Sequence, residues 1–101
     1  MGMILENGYE TKTTFISDFK IADMFGIDAV KDTYNRAFNE WKNNLEYVTE
    51  LAMVMSWACC YHYDKNRELS KLYSDYYHKT DEWCLNHFKG KDLEYYLETT
   101  D

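Results

Sequence analysis

Val30, Tyr34, Ala37, Phe38 and Trp41 recur at i, i+4, i+7, i+8 and i+11, one apolar stripe at helical period. The opposite face carries Lys31, Asp32, Asn35, Asn39 and Lys42, and Asp32 precedes Arg36 by four, the better order for a helical ion pair. The pattern predicts a helix over 28–43 with Asp28 as N-cap. Asn43 and Asn44 interrupt it. A second long helix is predicted over 45–63, with Val48, Leu51, Ala52, Met55, Cys59 and His62 on one face. Asp64, Lys65 and Asn66 make the next turn. A third helix, over 67–88, lines up Leu69, Leu72, Tyr73, Tyr76, Thr80, Trp83, Cys84 and His87 before Gly90 ends it. A short helix is expected at each end. One covers 18–25, behind a Ser17 cap and closed by Gly26 in a left-handed conformation; the other covers 92–98, with Leu93, Tyr96 and Leu97 inward. Residues 1–14 show no helical period and read as an extended or mobile N-terminal arm, leaving 15–101 as a single helical-bundle domain. Short links between long helices make antiparallel neighbours. The predicted fold is therefore all-α, an antiparallel bundle of three long helices flanked by two short ones.

Composition sharpens this picture. A chain of 101 residues is one domain by size. It has no proline and only four glycines, too few turn residues for a sandwich or barrel. Leu, Ile and Val together number 15 against 18 aromatics, so rings must fill much of the interior and buried Tyr hydroxyls need partners. Eighteen acids against eleven bases give a net charge of −7, which disfavours the phosphate backbone and anionic membranes. The longest apolar run, 51–61, is broken only by Ser56; extended to Tyr63 it reaches about 20 Å as a helix, against about 30 Å for a bilayer core. Residues 1–14 contain no basic segment followed by a long apolar run, and Glu6 stands where a myristoylation signal has Ser or Thr. The expectation is a cytoplasmic protein with no membrane partner.

Candidate chemistry is sparse. Ile21 to Ile27 resembles the start of a helix-turn-helix, with small Ala22 and Gly26 four apart. Its second half, up to residue 42, departs from that motif. The positions six and nine beyond the glycine, normally apolar, are Asp32 and Asn35, and Asp28 and Asp32 would repel phosphates. Two Cys-x-x-His pairs, Cys59/His62 and Cys84/His87, are the donor types of tetrahedral zinc. In an antiparallel hairpin they fall at opposite ends, about 26 Å apart, so no metal is expected. Cys59 and Cys60 are adjacent on a helix and point about 100° apart, and three cysteines do not make a disulfide framework. A catalytic thiol at Cys59 would sit at the wrong end of the helix dipole. There is no phosphate loop, nucleophile elbow or Glu-x-x-His pair. No enzyme activity and no cofactor are expected. An acidic DNA mimic would draw on Glu46, Glu50, Asp64, Glu68, Asp75 and Glu82, but Lys65, Arg67, Lys71 and Lys79 are interspersed among them. The helix over 45–63 is apolar nearly all round. Its outer face, Met53, Val54, Trp57, Cys60 and Tyr61, is where a peripheral helix is normally polar. Either a second copy or another protein engages this face, or residues 1–16 or 92–97 of the same chain cover it.

Glu10 to Phe15, Ser17-Asp18-Phe19, Ile21 to Gly26, Val30 to Tyr34, Arg36-Ala37-Phe38, Glu40-Trp41-Lys42 and the terminal Thr99-Thr100-Asp101 together resemble a family of small uncharacterised proteins encoded on conjugative and other mobile elements of gut Firmicutes. The likeness spans about residues 10–57 and the last few, without a catalytic motif. It implies a bacterial, cytoplasmic accessory protein with no assigned activity, whose residues 1–9 extend upstream of the family's usual start. Protein interaction is thus the leading functional expectation. A nucleic-acid-linked regulator, through a degenerate helix-turn-helix at 18–42 or acidic mimicry, is the alternative.

Overall fold

The structure, a computed structural model, describes the backbone of residues 8–100 and side chains from residue 15. Five helices follow in order: α1 (Gly8–Phe25), α2 (Ile27–Trp41), α3 (Leu45–His62), α4 (Arg67–His87) and α5 (Gly90–Thr100). There is no strand among the described residues, so the chain is all-helical. None of these helices is long and apolar enough to cross a membrane. Contacts gather into two compact units, one ending at Leu51 and one beginning at Ala52. The boundary falls inside α3, which therefore contributes to both.

In the first unit, α1 begins well before the cap expected at Ser17. Residues 8–14 are helical rather than extended, and the rest of the expected arm, 1–7, lies outside the described residues. Once a helix is nucleated, each further residue adds a hydrogen bond at small cost, and no proline stops it. Ser17 is consequently an exposed position within the helix. Phe15, Phe19 and Ala22, at i, i+4 and i+7, are buried. Gly26 alone joins α1 to α2. Its N–H donates to the Ala22 carbonyl at 3.0 Å and its carbonyl accepts from Val30 N–H at 3.2 Å. Its φ is positive, as expected, but φ 112° with ψ −173° is extended and not left-handed helical. Gly26 thereby precedes α2 directly, and Asp28 lies in the first turn rather than at the cap. α2 buries Val30, Tyr34 and Phe38, the last two rings stacked at 5.6 Å. Trp41 packs on Tyr47 at 4.2 Å across the Asn43–Asn44 link, and Asn44 Oδ1 accepts the Tyr47 N–H at 3.0 Å, capping α3.

In the second unit, Asn66 Oδ1 accepts the Leu69 N–H at 3.1 Å and starts α4. Ser70 Oγ donates to the Cys59 carbonyl at 2.8 Å, tying the first turn of α4 to the last turns of α3. The His62 ring lies nearly parallel to Tyr73 at 5.6 Å. Leu69, Tyr73, Thr80 and Cys84 of the predicted α4 stripe are buried; His87 is exposed and stacks on Trp83 instead of pointing inward. α4 stops at His87, and Gly90, with φ 57°, opens α5 rather than closing α4. Of the inward set expected in α5, Tyr96 is fully buried, Leu93 is half-buried and Leu97 is exposed. Tyr96 anchors α5 by donating its hydroxyl to Asp81 Oδ1 at 2.6 Å.

Two substitutions test these constraints by urea denaturation. At Gly26 an added Cβ meets nothing within 4 Å, so Gly26→Ala is expected to cost only backbone strain, about 1–3 kcal/mol. Tyr96→Phe removes the donor to a partly covered carboxylate and is expected to cost about 1–2 kcal/mol.

Candidate protein-interaction surface

α3 advances about 100° per residue, so Leu51, Val54, Met55, Ala58 and His62 sweep one broad arc, and all five are buried. What remains outward is a narrower strip centred on Trp57, Cys60 and Tyr61. Trp57 is 39% exposed and Tyr61 48% exposed, and their rings stack at 5.3 Å with 23° between planes. Cys60, between them in sequence, is exposed. Val54 does not belong to this surface. At 1% exposure it lies in the interior, because the covered arc is wider than one stripe. Met53 is half-buried at the edge of a groove of about 270 Å³ that it shares with Ser56, Trp57, Tyr77, Thr99 and Thr100. The end of α5 therefore borders the strip. Of the two segments expected to cover this face within the chain, the side chains of 1–14 lie outside the described residues, and Thr99 and Thr100, just beyond 92–97, line the groove.

Lys65 Nζ sits over the Tyr61 ring of the strip at 4.8 Å. Away from the strip, the Arg67 guanidinium lies over Tyr63 at 4.4 Å while its Nε donates to the Tyr63 carbonyl at 2.8 Å. Tyr61 meets His62 edge-on at 5.0 Å, which links the outer aromatics to the buried His62–Tyr73 stack. Periodicity alone missed Ser56, Tyr77, Thr99 and Thr100, which three different helices bring together. The first unit holds a second set it missed, Ile21, Met24 and Phe25, all exposed at the end of α1. Their i, i+3, i+4 spacing was the available signal.

The other sequence candidates are dispersed. Cys59 Sγ lies 3.7 Å from Ser70 Oγ, His62 stacks on Tyr73, Cys84 is buried and His87 packs on Trp83. Among the described residues no three His, Cys, Asp or Glu side chains converge where a metal could be held. The corner at 18–42 has a one-residue junction, not the three- or four-residue turn of a helix-turn-helix, and Asp28 and Asp32 are exposed on it. Of the acids a DNA mimic would use, Asp75 lies 3.8 Å from Lys71.

Burial pushes the Cys84 thiol up to about 12; the neighbouring Tyr96 hydroxyl works against this and the Asp81 charge adds to it. Burial and the bond to Asp81 raise the Tyr96 phenol as well. Protein-family models, curated proteins and solved structures were all compared with the chain, and none matches.

The three thiols are expected to react with an alkylating reagent in the order Cys60, Cys59, Cys84, the last only on unfolding; a mass-spectrometric time course checks this. A group whose pKa is raised on folding holds its proton more tightly in the native state. Its stabilising contribution is therefore complete below its unfolded pKa and is lost as pH rises toward the folded value. For Cys84 that window runs from 9.0 to about 12. The urea midpoint should fall across it, and Cys84→Ala should flatten the fall.

Proposed function

We propose that this chain is a non-enzymatic interaction protein, an accessory factor of a bacterial mobile element, that engages a second copy of itself or a protein partner through the outer strip of α3. The observation that carries the reading is the stacked, exposed Trp57–Tyr61 pair beside Cys60. Trp and Tyr are enriched where interfaces concentrate their energy, because each buries a large rigid surface at low entropic cost. Met53 at the strip's edge adapts to an irregular partner surface. The groove beside the strip supplies hydroxyls from Ser56, Tyr77, Thr99 and Thr100 for a polar rim. The mobile-element setting and the cytoplasmic location rest on the family resemblance of residues 10–57. An antiparallel arrangement of α2, α3 and α4 belongs to the same proposal, favoured by the short links between them. The nucleic-acid alternative has less in its favour, since a charge of −7 and the exposed Asp28 and Asp32 oppose a phosphate backbone.

In an isologous dimer Trp57 lies near its symmetry mate. Trp57→Glu is expected to convert dimer to monomer in sedimentation equilibrium and to leave the helical circular dichroism unchanged. With a heteromeric partner, the same substitution abolishes co-purification from the host. A wild-type monomer at high micromolar concentration, together with unfolding of Trp57→Glu, would refute the strip as an interface.

A further inference from the structure

The last two turns of α1 expose three large apolar side chains: Ile21 at 55%, Met24 at 82% and Phe25 at 78%. A well-covered helix end does not leave a phenylalanine and a methionine so open, and clustered exposure of this kind marks interaction sites. Two of the three open onto a groove of about 320 Å³ between α1 and α2. Ile21, Ala22, Phe25 and Ala29 form its apolar wall, and Asp18, Asp32, Thr33 and Arg36 its polar border. Asp18, Ile21 and Phe25 stand at i, i+3 and i+7, a length of about 10 Å, which is two turns of a docked helix.

The chemistry of the border selects the occupant. Two carboxylates, Asp18 and Asp32, share this border with one guanidinium, an acid excess of one. Partial burial holds the Asp18 carboxyl above its ordinary range, and the Arg36 charge offsets this only in part. A second copy would set the same acid excess against itself, which opposes a self-pairing here. An extended strand would gain no backbone pairing, because helix interiors have already satisfied their N–H and C=O groups.

We propose that the α1–α2 groove docks a basic amphipathic helix of a partner protein, whose apolar residues cover Ile21, Met24 and Phe25 while a lysine or arginine pairs with Asp18 and Asp32. This surface is separate from the α3 strip and stands or falls independently of it.

Two synthetic helical peptides test it. Both carry leucines at i, i+3, i+4 and i+7; one is flanked by lysines, the other by glutamates. Binding to the full chain is read by fluorescence anisotropy and by amide chemical shifts of the isotope-labelled protein. The basic peptide should bind and shift residues 18–36. The acidic peptide should bind at least about tenfold more weakly, the loss of one good charge contact. Asp18→Asn with Asp32→Asn should reduce affinity for the basic peptide about tenfold, and Phe25→Gln should do so comparably, with circular dichroism confirming intact helix. Equal affinity for both peptides overturns the proposal, as do shifts centred on Trp57 and Tyr61. No binding at about 1 mM peptide also overturns it. So does self-association of the chain that Phe25→Gln abolishes, which would make a second copy the occupant.

Discussion

Between Leu45 and His62, helix α3 carries only two acidic or basic residues of the Asp, Glu, Lys and Arg types, Glu46 and Glu50, both in its first half. Water cannot solvate such a helix well, so its apolar surface must be covered. Val48 and Leu51 are fully buried in the first unit; Ala52, Val54, Met55 and Ala58 are buried in the second. One continuous helix thereby supplies core to both halves. A polar substitution at Met55 or Leu51 would strip a core position with no solvent route, whereas the same change at Cys60 meets water.

Aromatic residues do much of the filling that aliphatics do in other small domains. Tyr34, Tyr73, Tyr96 and Phe19 are among the largest fully buried side chains. Rings provide area, but each tyrosine brings a hydroxyl that needs a partner in a medium of low polarity. Tyr96 meets this need through Asp81, so the same bond that satisfies a polar atom also holds α5 in place. Ser70 does the equivalent between α4 and α3 through the Cys59 carbonyl. Specific polar contacts thus set the register that ring packing alone leaves loose.

The two exposed surfaces differ in kind. The α3 strip is aromatic, edged by hydroxyls and by Lys65 over the Tyr61 ring. The α1–α2 groove is aliphatic and phenylalanine-walled, edged mainly by carboxylates. The three thiols differ in burial: Cys60 is exposed, Cys59 half-buried and Cys84 buried.

The helical period of 28–43, 45–63 and 67–88 was legible in the sequence because it is a local property. Side chains three and four apart share a face whatever the surroundings, and Asn44 and Asn66 cap their helices through contacts three residues away. The outward placement of Trp57, Cys60 and Tyr61 follows from the same rule. Whether a residue beside that face is covered is not local. Val54 and Trp57 are both large and apolar, and only the packing of other elements decides that one is interior and the other open. The start of α1 was equally hidden, since helix propagation through 8–14 depends on a nucleus further along and leaves no periodic trace. The groove of α3, α4 and α5 residues and the acidic border of the α1–α2 groove join positions distant in the chain. Their existence was decided by tertiary structure, because spatial neighbours of that kind have no fixed spacing in sequence.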